Sequence, residues 1–82
     1  MRLPRDLSGT RLVALLRRYG YQVTRETGSH MRLTSTRMGT EHHITVPRHK
    51  DLRPGTLNSI FGDVALYIQV DKLRLIEELF MQ

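Results

Sequence analysis

Apolar side chains recur with helical spacing in the first quarter of the chain. They form one stripe made of Leu12, Val13, Leu15, Leu16 and Tyr19. Ser8 is a favourable N-cap residue, and Gly20 suits the position just past a helix end because glycine adopts a left-handed backbone without strain. The pattern therefore predicts a helix at about residues 9–19.

The next segments alternate between apolar and polar residues, which is typical of β-strands with one buried face. They are residues 21–27, 30–36 and 42–46. Gly28-Ser29 is a turn signal between the first two, and Pro47 ends the third because it has no N–H to donate. We expect a three-stranded antiparallel meander whose buried face includes Met31 and Leu33. Its other face would carry His30, Arg32, Thr34, His43 and Thr45.

Two further helices are predicted after the sheet. Leu57, Ile60, Phe61, Val64 and Ile68 have helical spacing, and Asp71 can cap a short helix that contains Leu75 and Leu79. The order α-β-β-β-α with an extra C-terminal helix predicts an α+β fold, a single domain over residues 1–82 with helices on one face of the sheet. This order is that of double-stranded-RNA-binding domains.

Charge adds a functional indication. Thirteen Lys and Arg against eight Asp and Glu give a net charge of +5, and the bases are concentrated in residues 1–53. Arginine, the dominant base, suits phosphate oxygens because its planar guanidinium donates several hydrogen bonds. A polyanion-binding surface is one interpretation, and a generically basic domain is the other. No segment resembles a signal peptide or a membrane span, so we expect a cytoplasmic protein without a membrane partner.

Four histidines are the candidates for chemistry near neutral pH. Adjacent His42 and His43 point to opposite faces of a strand and cannot jointly hold a metal ion. His42 has the parity of the buried residues, and we expect it to be half-buried at the strand edge, whereas His43 faces solvent. His30 begins a strand on the open face, and antiparallel pairing would bring it near Pro47, Arg48 and His49. A histidine in this position is more often structural than catalytic, so the pattern alone leaves both interpretations open.

The sequence lacks the residues that several other kinds of chemistry require. There is no cysteine for a thiolate nucleophile or thiolate metal site. The acids Asp6, Glu26, Glu41 and Asp51 are scattered, without the paired spacing that would hold Mg²⁺ for a two-metal nuclease. We expect no metal and no cofactor, so phosphodiester cleavage by this chain would be metal-independent.

Five short motifs in order resemble the HicA toxins of bacterial HicA–HicB toxin–antitoxin pairs. They are Ser8-Gly9, Gly20-Tyr21, Gly28-Ser29-His30, Val46-Pro47-Arg48-His49 and Pro54-Gly55-Thr56-Leu57 with Ile60. The resemblance runs from about residue 8 to residue 64. The segment from Asp63 to Gln82 is longer than in compact members and adds a helix, which leaves the antitoxin-binding surface undefined.

The resemblance implies a double-stranded-RNA-binding-like fold and an mRNA endonuclease that is neutralised by a HicB-type antitoxin. It also implies that His30, which follows the Gly-Ser pair, is the catalytic residue. His30 would accept or donate a proton, and His49 is a candidate second proton-transfer group. The RNA-binding set would comprise Gly28, Ser29, Arg32, Arg48 and Lys50.

Two alternatives remain at this stage. A non-catalytic double-stranded-RNA-binding module would need basic residues near a helix N-terminus, which residues 48–53 supply. Gly55 and Thr56 at that terminus would attract anions or simply start a helix. A protein acting mainly through contact would use its apolar, mildly acidic C-terminal helices to dock another subunit.

Overall fold

The predicted elements follow one another in the predicted order in the computed structural model, which describes residues 3–81. The helices are α1 (Gly9–Leu16), α2 (Pro54–Ile68) and α3 (Lys72–Phe80), and the strands are β1 (Gln22–Glu26), β2 (His30–Ser35) and β3 (His42–Pro47). Residues 1, 2 and 82, the ends of the predicted single domain, lie outside the described residues. The fold is α+β, as predicted.

Both ends of the first helix use the predicted residues. The Ser8 hydroxyl accepts a hydrogen bond from the Arg11 N–H at 3.1 Å, which satisfies a donor that has no partner within the helix. The last predicted turn is a 3₁₀ turn over Arg17–Tyr19, and it ends at Gly20 with φ of 85°. At the start of α3 the prediction was only half right, because Asp71 occupies the N-cap position without a capping hydrogen bond from its side chain.

The three strands form one antiparallel sheet in the order β1-β2-β3. Met31 pairs with Val46 and Leu33 with Ile44, so all four point to the same, buried face. The strand β1 departs from simple alternation, because a bulge lies between Val23, which pairs with Leu33, and Arg25. A bulge adds one residue to one strand and shifts the parity of the residues after it.

The core lies on one side of the sheet, between its apolar face and the three helices. The fully buried side chains include Leu12 and Leu16 of α1, Phe61 of α2 and Leu75 of α3. This one-sided packing is the arrangement expected from the order of the elements, and it is consistent with a double-stranded-RNA-binding-like fold. The opposite face of the sheet is left polar and exposed.

Gly9 allows α1 to start directly against the end of β3. A Cβ atom at this position would overlap the Pro47 carbonyl oxygen and would also touch the Met31 side chain at 3.3 Å. The Gly9 N–H donates to the His49 carbonyl at 2.9 Å, and the Leu52 N–H donates to the Leu7 carbonyl at 2.8 Å. The chain before α1 is therefore tied by its backbone to the segment after β3.

The helix α3 is tied to the 3₁₀ turn after α1 by polar contacts. The Tyr19 hydroxyl donates to Glu78 Oε1 at 2.9 Å, and Arg18 donates to the Glu78 carbonyl. The hydrogen bond from Tyr19 lowers the pKa of the Glu78 carboxyl, and burial raises the pKa of Tyr19. At neutral pH, both pKa shifts therefore favour a protonated Tyr19 hydroxyl as the donor and an ionised Glu78 carboxylate as the acceptor.

We predict that Gly9→Ala destabilises the fold by about 1–3 kcal/mol, because the added methyl group overpacks against backbone that cannot rotate away. The matched control is Gly62→Ala in α2, where a Cβ would meet nothing within 4 Å. That variant should gain about 1 kcal/mol from helix propensity. Urea unfolding measures both, and a neutral Gly9→Ala would contradict the packing described above.

We predict that Tyr19→Phe lowers the urea midpoint at pH 7 and that the difference from the parent chain shrinks in acid. Since the folded-state pKa of Glu78 is lowered from 4.5, its contact with Tyr19 contributes stability above pH 4.5 and loses it as the pH falls through the lowered value. Midpoints measured between pH 7 and pH 3 check the trend. An equal difference across this range would show that the ionised carboxylate contributes nothing.

Candidate nucleic-acid interface on the open face

His30 is the first residue of β2 and stands at one corner of the open face. The turn before it is closed by Thr27, whose N–H donates to the His30 carbonyl at 2.9 Å and whose hydroxyl accepts from the His30 N–H at 3.1 Å. The ring nitrogen Nδ1 is 2.9 Å from the Ser29 hydroxyl. The other nitrogen, Nε2, has no hydrogen-bond partner among residues 3–81. One edge of the imidazole is oriented by the chain, and the other is available to a ligand.

The basic segment after β3 lies beside His30, as antiparallel pairing predicted. His30 is directly opposite Pro47, and the Arg48 N–H donates to the Ser29 carbonyl at 2.8 Å. Pairing thus continues past the proline, which has no N–H of its own. The exposed residues His49 and Lys50 follow immediately, and the carbonyl of His49 is held by Gly9.

The predicted RNA-binding residues around this corner differ in how they are engaged. The Arg48 guanidinium forms an ion pair with Glu26 on β1, with Nη2 and Oε1 3.0 Å apart. The side chains of His49 and Lys50 form no ion pair or hydrogen bond within the described part of the chain. Gly28 and Ser29 form the exposed turn. A phosphate at this corner would therefore lie near two cations, Arg48, which is paired with Glu26, and Lys50, which has no partner among the described residues.

Two arginines face each other in the middle of the open face. Arg25 of β1 is the register partner of Arg32 of β2, and Arg32 is in turn opposite Thr45 of β3. Both guanidiniums are exposed, and neither forms an ion pair with an acid among the described residues. The centre of the sheet therefore carries two adjacent positive charges without a counter-ion from the chain.

A chain of polar side chains crosses the far end of the same face. His43 Nδ1 is 2.8 Å from the Thr34 hydroxyl, and that hydroxyl is 2.8 Å from the Thr24 hydroxyl. On its other side, His43 Nε2 lies 3.2 Å from Glu41 Oε1. Both ring nitrogens of His43 are therefore engaged, whereas its ring remains exposed.

Sequence reasoning identified part of this surface and missed the rest. Its list of open-face residues on β2 and β3 is confirmed by the register. Arg25 was missed because strict alternation from Tyr21 and Val23 puts it on the buried face, and only the bulge turns it outward. Glu41 was missed because it lies in a loop, where no periodicity indicates a direction.

His42 is half-buried, as predicted, and belongs to an aromatic cluster away from His30. Its Nδ1 is 2.7 Å from the Tyr21 hydroxyl, and its ring stacks on Tyr67 with the centroids 4.7 Å apart. Burial raises the pKa of Tyr21. The Tyr67 hydroxyl donates to the Thr40 carbonyl, so this cluster joins α2 to the loop between β2 and β3. These contacts are structural.

The described residues lack two features, a metal-binding cluster and a membrane-spanning helix. Residues 3–81 contain no group of three or more His, Cys, Asp or Glu side chains arranged to hold a metal ion. None of the helices in this part of the chain combines the length and apolar character needed to span a membrane. At the start of α2, Gly55 and Thr56 occupy the first turn, as predicted.

Comparison with known proteins identifies a family. The model of a family described as the HicA toxin of bacterial toxin–antitoxin systems matches residues 9–66. This range contains α1, the whole sheet and most of α2, and it leaves α3 outside. Neither the curated proteins nor the solved structures give a significant match.

Proposed function

The chain belongs to the HicA toxin family of bacterial toxin–antitoxin systems, and from this premise we propose that it is a metal-independent endoribonuclease that cleaves mRNA with His30 as its catalytic residue. The observation that carries the proposal is the geometry of His30. Its Nδ1 is oriented by Ser29 while its Nε2 has no partner among the described residues, at the exposed start of β2 beside a basic segment.

The proposed reaction is attack of a ribose 2′-hydroxyl on the adjacent phosphorus. His30 Nε2 accepts the hydroxyl proton, the new O–P bond forms, and the bond to the 5′-oxygen of the next nucleotide breaks. That oxygen leaves with a proton from a second group, for which His49 is the candidate. The products are a 2′,3′-cyclic phosphate and a 5′-hydroxyl, so atoms and charges balance without a further reactant.

Arg32, Arg48 and Lys50 supply positive charge around the phosphate in this proposal. Charge develops on the non-bridging oxygens during attack, and guanidinium and ammonium groups already in place stabilise it. Arg48 is held by Glu26, which fixes the position of its guanidinium near the turn. The turn residues Gly28 and Ser29 leave room for the RNA backbone to approach His30.

The metal-independent part of the proposal rests on the carboxylates. Glu26 on β1 and Glu41 in the loop before β3 contact Arg48 and His43 respectively. These contacts hold the two carboxylates at separate places, so they do not converge as the pair that a two-metal mechanism would need.

Membership of the family implies a cognate antitoxin. We propose that it is of the HicB type, that it neutralises the chain, and that the complex acts in the cytoplasm. An acidic antitoxin surface would complement the basic residues around His30.

We predict that the purified chain fragments a long mRNA in excess EDTA and that His30→Ala reduces the rate by about 10²–10⁴-fold, the usual contribution of a general acid or base. Because His30 is exposed, its replacement should change the free energy of unfolding by less than about 0.5 kcal/mol. The variant, purified in the same way, also controls for contaminating nucleases. Intact RNA with the parent chain, together with a gel shift, would instead identify a non-catalytic RNA-binding module.

We predict that His49→Ala removes one limb of a bell-shaped pH–rate profile, since a base and an acid with separate titrations produce two limbs. Lys50→Gln is the matched control, because it removes a neighbouring cation without removing a proton-transfer group. It should raise KM and leave the shape of the profile unchanged. An unchanged profile in His49→Ala would exclude His49 as the second group.

A further inference from the structure

The opposed pair Arg25 and Arg32 destabilises the sheet in the absence of a ligand. Like charges directly opposite each other on neighbouring strands repel, and each would ordinarily be offset by an acid. Neither arginine has such an acid within residues 3–81. Glu41, the acid that lies on the same side of the sheet, is already in contact with His43. The positions therefore suit an anion that arrives from outside.

His43 is held more rigidly than a surface side chain needs to be. Its side chain is 37% exposed, yet both ring nitrogens are engaged, one by Thr34 and the other by Glu41. Thr24 extends the hydrogen-bonded chain to β1. Ordering four polar side chains at a surface costs conformational entropy without burying a core. The result is a fixed aromatic ring with an accessible face.

The arginine pair and the polar chain line the same depression. It is open to solvent, has a volume of about 430 Å³, and is lined by Thr24, Arg25, Arg32, Thr34, Glu41 and His43. Glu41 places a negative charge beside His43, so an anion would be drawn to the arginines, and the exposed imidazole is left to contact a neutral ring. A nucleotide combines these two features, because it carries an anionic phosphate next to a neutral base.

We propose that Arg25, Arg32 and His43 form a second nucleotide subsite, which binds a phosphate and an unpaired base of single-stranded RNA next to the His30 corner. This inference deepens the proposed function and rests on it. Arg25 holds the phosphate of this subsite, and the ring of His43 is the stacking platform. Arg32 lies between the subsite and the His30 corner and supplies positive charge to both phosphates. Thr24, Thr34 and Glu41 are positioning residues that fix the ring.

The spacing along β2 gives the path of the strand. Arg32 is two residues from His30 on the same face, which corresponds to about 7 Å, and Thr34, opposite His43, is four residues away, or about 13 Å. His43 is therefore too far from His30 to act on the same phosphate. The RNA runs along β2, with its scissile bond at the His30 corner and a neighbouring nucleotide over the arginine pair.

A single strand fits this surface better than a duplex. Stacking on a side chain requires a base that is free of its own stack, and exposed aromatic rings with flanking cations are the usual means of binding single strands. A duplex presents phosphates and ribose hydroxyls but no unpaired base. It would use the arginines and leave His43 without a role.

The test uses the full chain carrying His30→Ala, so that the RNA stays intact, and a short labelled RNA offered single-stranded or annealed to its complement. Binding is measured by fluorescence anisotropy over a range of salt concentrations. Adding Arg25→Gln should reduce the slope of log K against log salt by about 0.7 for the lost phosphate contact. Arg25→Lys should retain the slope because the charge remains.

Adding His43→Ala should weaken binding of the single strand by roughly tenfold through lost stacking and leave the duplex unaffected. The matched charge control is Arg17→Gln. Arg17 is exposed and lies in the 3₁₀ turn of the helical layer, away from the open face. The Arg17→Gln variant should change the slope of log K against log salt less than Arg25→Gln does.

Three results would overturn the subsite. They are equal effects of Arg25→Gln and Arg17→Gln, equal effects of His43→Ala on single strand and duplex, and a loss confined to antitoxin binding. Cleavage by the chain with His30 intact is measured in parallel. If the chain cleaves RNA but the variants do not change binding as predicted, the subsite alone is refuted. If the variants change binding as predicted but the chain with His30 intact does not cleave RNA, the proposed nuclease activity alone is refuted.

Discussion

The absence of a side chain at Gly9 sets the distance between the helical layer and the sheet. Because α1 begins against the Pro47 backbone, the end of β3 and the segment that follows it are held from behind by another element. Pro47 is also the residue opposite His30. The exposed side chains at this corner are thus carried by backbone that is fixed on both sides. Precise placement of a surface site requires such rigid support beneath it.

The helix α3 lies outside the segment that the family model matches, yet it is part of the same core. Leu75, Ile76 and Leu79 are buried, and Tyr19 and Arg18 reach across to Glu78. The apolar surface of α2 that packs against α3 would otherwise face water. In this chain, α3 completes the hydrophobic core and leaves the open face of the sheet uncovered.

Periodicity predicted the order of the elements, the buried face of the sheet and the position of His30 opposite Pro47, because each follows from the alternation of side chains on β2 and β3. It failed at Arg25, where one extra residue in β1 reverses the parity. It also failed at Glu41, whose direction is set by a contact with His43. The start of α3 was predicted from Asp71, although that side chain makes no capping bond. Features fixed by local repetition were therefore predictable, and features fixed by irregular backbone or by tertiary contact were not.

The bulge in β1 has a second consequence, because β1 is an edge of the sheet. An edge strand exposes unpaired N–H and C=O groups to which the strand of another molecule can add, and this is how sheets grow into aggregates. Around Thr24 the regular spacing of those groups is interrupted, and Arg25 adds charge at the same place. The irregularity that turns Arg25 outward thereby also protects the edge of the sheet from pairing with a second copy of the chain.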